Sequence, residues 1–220
     1  MPYQTLAGAL SQLGELVVSE KIAPTYYFLY FDRIDAICHL YGPYSRQFEV
    51  AVDTFLTAMD QIFYKITHAN TPDTLFIMIA DHGQIEVDPK RTFYLNRYAP
   101  GIERFLRTNR RGNLLVPAGS ARDMFLHVRE ELLDEAEAFL QKQLAGRAEI
   151  HRTQTLAEQN FFGSQLSNEF RARVGNLVIL PHQYETVWWY QEGKFDMHFL
   201  GHHGGLTPEE MEIPLLLLPL

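Results

Sequence analysis

Cys38 is the only cysteine in 220 residues, so no internal disulfide can form and nothing in the composition marks an oxidising compartment. A reducing cytoplasm is the expected location. Long apolar runs are missing too. The longest, Leu215 to Leu218 with its flanks, is far too short to span a bilayer, and the N-terminus lacks the basic-then-apolar layout of a signal peptide. No membrane association is expected. Basic residues are the minority, 19 Lys and Arg against 27 Asp and Glu, for a formal net charge of -8. That excludes a general nucleic-acid binder, whose affinity comes from Lys and Arg neutralising phosphates, and leaves room only for a local basic groove. Internal repeats and low-complexity segments are absent as well. What the chain has in quantity is apolar and aromatic side chains, 46% hydrophobic with 15 Phe and 11 Tyr. This is enough for a sizeable core in one domain, or one domain plus a small lobe.

Helical and strand-like periods alternate along the chain. Leu6, Leu10, Leu13 and Val17 mark one helix face, weakened by Gly8 and Gly14, before Pro24. Tyr26 to Phe31 reads as a short strand. Phe48, Val52, Phe55, Met59, Ile62 and Ile66 hold a helical period until Asn70, Thr71 and Pro72. Thr74 to Ala80 and Met124 to Val128 read as strands, the first of them buried. A helix on Leu132, Ala136, Phe139, Leu140 and Leu144 follows, then a strand at Leu177 to Leu180. Thr207 as N-cap, Pro208 in the first turn and Glu210 reaching back predict a short capped helix. Leu215 to Leu218 then reads as a final buried strand. The alternation predicts an α/β layer architecture. Arg91 to Gly119 is irregular and is expected at the periphery.

In open α/β sheets ligands bind beyond the carboxyl ends of the strands, so the polar residues after each apolar run are the ones to weigh. Asp35 and His39 are four apart after Tyr26 to Phe31 and share a face if the segment is helical. Asp81-His82-Gly83 follows Thr74 to Ala80, with a glycine that allows a sharp turn. His202 and His203 lie among glycines before the Thr207 helix. Together they form an Asp and His set without thiolates, suited to zinc or a related divalent ion, and two such clusters fit a pair of metals that clamp attacking and leaving oxygens. Each has a plainer reading: a solvated helix face for Asp35 and His39, turn chemistry for Asp81, a loop histidine for His203. Cys38 reads as a small buried hydrophobe, and Trp188 to Tyr190 as a half-buried strand more readily than a stacking platform. Arg110 and Arg111 read as a solvated loop.

At these residues the chain resembles the type I phosphodiesterase and nucleotide pyrophosphatase family of the alkaline phosphatase superfamily. Tyr30 to Pro43 resembles the segment in which an Asp and a His four residues later hold one metal. Ile79 to Gly83 resembles the Asp-His-Gly segment that serves the other. His203 to Met211 with Ile213 and Pro214 resembles the closing segment, whose His completes the first site. The resemblance runs from about Tyr26 to Leu220, with Asp88 to Asp196 least diagnostic. It implies that Asp35, His39 and His203 bind one divalent ion, zinc or else manganese, and that Asp81 and His82 contribute to a second. It also selects His203 over His202.

The family's upstream metal-binding Asp and its Thr or Ser nucleophile have no counterpart before Asp35, and Thr25 is read as structural. By resemblance the chain is the C-terminal portion of an alkaline phosphatase-like α/β domain over residues 1–220. A mostly parallel sheet flanked by helices is expected, without the N-terminal part of the core and with about 90–175 partly peripheral. The expected chemistry is metal-dependent hydrolysis of phosphodiester or nucleotide pyrophosphate bonds in a phosphate-ester or nucleotide-like substrate, with no nucleophile supplied by this chain. Two alternatives stand: a catalytically silent metal- or ligand-binding module, and a phosphomonoesterase, phosphonate hydrolase or mutase of the same superfamily. An incomplete sheet should expose apolar surface, which predicts a dimer or pairing with an N-terminal segment.

Overall fold

A computed structural model describes residues 3–19 and 24–220. The chain divides into two compact units, Met1–Gly83 with Glu212–Leu220, and Gln84–Met211. No helix among the described residues is long and apolar enough to cross a membrane.

The first unit is built on three helices and a two-stranded ladder. The helix Leu6–Ser19 buries Ala9, Leu10 and Gly14. Gly14, a poor helix former, sits where a Cβ would come to 4.0 Å from the Ile62 carbonyl and the Phe63 ring. That is ordinary van der Waals distance, so the packing of the two helical segments does not itself require a glycine there. Helix Arg33–Tyr41 stops at Gly42, whose N–H makes the last helical bond to the Cys38 carbonyl and whose positive φ of 85° then turns the chain out of the helix. Helix Arg46–Ala58 starts at Ser45, whose hydroxyl accepts from the Phe48 amide at 3.2 Å. The long period expected from Phe48 to Ile66 is realised as this helix, a π-helical stretch Met59–Tyr64 and the short helix Lys65–Thr67.

Strand Leu75–Ile79 pairs antiparallel with Leu215–Pro219, so that Ile77 faces Leu217 and Ile79 faces Leu215. Both strands were expected to be buried. Instead Leu75, Ile77, Ile79, Leu215 and Leu217 are exposed, while the alternate residues are half-buried. One face of the ladder is therefore bare, and it is the apolar surface that the sequence leads one to expect. Tyr26 to Phe31 does not form the expected strand. Aromatic β-propensity acts only through a ladder and a packed face, and Tyr26, Phe28 and Tyr30 are 84%, 74% and 58% exposed.

The second unit holds a four-stranded sheet in the order Ala118–Ser120, Asp123–Leu126, Leu177–Pro181, Ala148–Arg152. Helix Leu133–Gln143 contributes Ala136 and Leu140 to a core with Met124, Leu126, Leu177 and Ile179. The irregular stretch Arg91 to Gly119 is no bystander to this core, because Leu95, Ile102 and Phe105 in it are fully buried. The α/β class stands. The strand pairing, however, differs from the mostly parallel sheet expected: among the described strands only Phe93–Tyr94 with Val187–Trp188 is parallel. A turn as short as Ala121-Arg122 can join only antiparallel neighbours, since a parallel connection needs a dozen or more residues.

Candidate metal centre

Four of the five residues singled out from the sequence lie in the first unit, where they converge. Helix Arg33–Tyr41 stacks Asp35 and His39 one turn apart, and His39 Nε2 comes to 3.5 Å from Asp35 Oδ1. The chain leaving strand Leu75–Ile79 turns at Asp81-His82-Gly83. It brings His82 Nε2 to 4.0 Å from the same Asp35 oxygen and to 3.7 Å from Asp81 Oδ1. His39 is mostly buried, Asp35 and His82 are partly buried, and Asp81 is exposed. One carboxylate oxygen of Asp35 is thus the point shared by both imidazoles.

The donor set passes a simple chemical test. His82 Nδ1 lies 2.9 Å from the Gly83 carbonyl, which can only accept, so Nδ1 carries a hydrogen, and in the neutral imidazole Nε2 is then the nitrogen able to ligate a metal. Imidazole nitrogen with carboxylate oxygen is a donor set that suits zinc or manganese. Cys38 does not compete for it. Its side chain is buried, and burial first, then the Asp35 charge, pushes the thiol up to about 12, so it stays protonated.

His203 belongs to the second unit. Its neighbour His202 is in a ladder, opposite Ile85, with its ring 5.8 Å from that of Phe199. His203 is the first residue beyond that strand, in a loop built on buried polar groups. The Ser120 hydroxyl hydrogen is shared between Asp123 Oδ1 at 2.5 Å and the His203 carbonyl at 3.2 Å. Further along, Glu210 accepts from the Gly205 amide at 3.0 Å and from the Thr207 hydroxyl at 2.9 Å and amide at 3.4 Å. Half of the capping box expected at Thr207 is formed: the Glu210 carboxylate reaches back to the Thr207 amide, but the Thr207 hydroxyl donates to that carboxylate and the Glu210 amide bonds the Thr207 carbonyl. Glu210 does more. It is buried against the fully buried Arg122, which donates Nε to Oε1 at 2.9 Å and Nη2 to Oε2 at 2.8 Å. Arg122 Nη1 donates to the carbonyls of His182, at 2.8 Å, and Glu185.

Sequence reasoning missed Arg122. The available signal was a lone Arg beside an apolar strand, Arg122-Asp123-Met124-Phe125, together with a Glu inside a helix that buries little else.

Burial pushes the Glu210 carboxyl up, but the Arg122 hydrogen bonds and charge, with the Gly205 amide and Thr207, outweigh it and hold the group below its ordinary 4.5. Asp123 moves the other way: burial raises it above 3.8, the Glu210 charge adds to this, and the bonds from Ser120 only offset part. The two respond to acid with opposite sign. Stability contributed by Glu210 is complete above its unfolded value and is lost as pH falls through the lowered folded one, whereas Asp123 favours the folded state as it takes up a proton. Asp123→Asn is expected to steepen the loss of melting temperature between roughly pH 5 and pH 3. Thermal melts check this, and a parallel or shallower fall would show that Asp123 is not raised.

A mixed α/β chain with Asp and His residues gathered at helix and strand ends has the layout of alkaline phosphatase-like proteins. The chain belongs to the type I phosphodiesterase / nucleotide pyrophosphatase family, whose pattern it matches over residues 5–206. No curated protein matches it in sequence. Among solved structures, human ectonucleotide pyrophosphatase/phosphodiesterase 5 is similar with a TM-score of 0.71 at 14% identity, covering 99% of this chain and 54% of that one. The murine protein gives 0.66 at 18%, covering 98% and 53%. An inactive variant of the murine protein in complex with AMP gives 0.67 at 17%, covering 98% and 53%. These likenesses concern the fold, and the chain spans about half the length of the structures it resembles.

Proposed function

We propose that this chain supplies metal ligands for hydrolysis of phosphodiester or nucleotide pyrophosphate bonds. Asp35, His39 and His203 hold one divalent ion, and Asp81 and His82 contribute to a second. The observation that carries the reading is the Asp35 carboxylate oxygen, 3.5 Å from His39 Nε2 and 4.0 Å from His82 Nε2. This atom links the helix face and the strand end that the family motifs contain. Bound divalent ions would lower the pKa of a hydroxyl or water nucleophile and stabilise charge on a transferring phosphoryl group. The chain's own residues position and orient. Asp35 aligns two imidazoles, and the Gly83 carbonyl fixes the tautomer of His82 so that Nε2 is the donor atom. By the family motif, His203 and not its neighbour His202 is the third ligand of the first site. Family membership and the AMP-bound murine neighbour support a nucleotide-type substrate.

The experiment is a titration of the purified chain with Zn²⁺ and Mn²⁺, followed by assay with a chromogenic phosphodiester and a panel of nucleotides, phosphomonoesters and phosphonates. Metal-dependent turnover lost in Asp81→Ala supports a hydrolase. Tight metal binding without turnover on any substrate would favour the silent module instead. Absence of metal binding would refute both site assignments.

A further inference from the structure

Arg122 and Glu210 form a fully buried, bidentate ion pair in the second unit, and the other hydrogen bonds described for the two side chains go to the carbonyls of His182 and Glu185 and to the loop after His203. Such pairs add little to stability compared with apolar residues of the same volume, because desolvation offsets the attraction. What they do supply is fixed geometry. Here Glu210 receives the Gly205 amide and both Thr207 donors, while Arg122 ties the carboxylate to the carbonyls of His182 and Glu185. The other end of the loop is fixed through the His203 carbonyl by Ser120, itself held by Asp123. The two intervening glycines leave no slack. A Cβ on Gly204, at φ +110°, would stand 2.5 Å from Ser120 Oγ, and one on Gly205 2.5 Å from Glu210 Oε2.

We propose that the Arg122–Glu210 pair is a positioning device for His203: it sets the backbone from His203 to Thr207 so that the imidazole is presented in one orientation. This rests on His203 being a metal ligand, and it adds Arg122 and Glu210 as residues on which that ligand depends. Neither touches the metal or the substrate.

The test uses the full chain and Zn²⁺ alone. In wild-type protein the Gly205 and Thr207 amides should exchange with solvent as slowly as those of Leu126 and Ile179 in the sheet; fast exchange overturns the proposal. In the Arg122→Met/Glu210→Met double variant, which leaves no orphan charge, the sheet amides should stay protected. The Gly205 and Thr207 amides should exchange at least about tenfold faster, and Zn²⁺ affinity, measured by competition with a chromogenic chelator, should fall about 10–100-fold. Arg122→Lys, which keeps the charge but not the fork, is the second variant and should shift both readouts in the same direction by less. A folded variant with wild-type loop exchange, or with loosened loop but wild-type Zn²⁺ affinity, would overturn the positioning role. If wild type binds Zn²⁺ and His203→Ala leaves that affinity unchanged, the ligand assignment fails at its source, whatever the loop does.

Discussion

Asp35→Ala is expected to weaken Zn²⁺ binding by more than the about 10–100-fold that loss of an outer partner of a metal ligand costs, and to do so at both proposed sites. The reason is geometric. Asp35 Oδ1 stands between the two imidazoles, 3.5 Å from His39 Nε2 and 4.0 Å from His82 Nε2, whereas Asp81 Oδ1 neighbours His82 Nε2, at 3.7 Å, on the other side. The order of damage should therefore be Asp35→Ala first, His39→Ala next and Asp81→Ala least. Equilibrium dialysis with metal analysis gives the stoichiometry and affinity of each variant. Asp35 is exposed at 39% of its side chain and lies on a helix whose end is set by Gly42, so its removal should leave the melting temperature of the metal-free protein nearly unchanged. Unaltered metal content in Asp35→Ala, His39→Ala and His203→Ala together would end the site assignment.

The second large effect is on stability. Arg122→Ala should lower the unfolding free energy by about 3–5 kcal/mol, the usual cost of leaving a buried charge without its partner. Glu210 would keep the Gly205 and Thr207 donors but lose both guanidinium bonds, and the carbonyls of His182 and Glu185 would lose a donor as well. Replacing both residues by Met should cost far less, because no charge is then stranded in the core. Urea denaturation of the three proteins separates these outcomes, and an Arg122→Ala variant within 1 kcal/mol of wild type, on the order of an exposed ion pair, would show that the pair is solvated in solution. The contrast matters for function. A loop that is held by an ion pair can lose its geometry while the protein stays folded.

The legible part of the candidate site was local. Asp35 and His39 fall on one face because a helix repeats every 3.6 residues, and the Asp81-His82-Gly83 turn follows an apolar run whose strand character is plain. The helices at Leu6–Ser19, Arg46–Ala58 and Leu133–Gln143 follow from apolar period in the same way. Tyr26 to Phe31 misled because its residues favour a strand whether or not a ladder receives them. Leu75–Ile79 and Leu215–Pro219 were recognisable as strands, but not as half-exposed ones, since an apolar run reads alike whether one face or two are covered.

The sequence by itself determined the family, the candidate Asp and His residues and most of the elements that carry them, because motif spacing and periodicity are properties of neighbouring residues. The tertiary structure alone decided that Asp35 is the oxygen common to two imidazoles, that strands expected side by side in parallel run antiparallel, and that Arg122 reaches across 88 positions to Glu210. A buried ion pair between distant residues leaves no periodic trace in a chain. Only the packing that removes both charges from water shows that each requires the other.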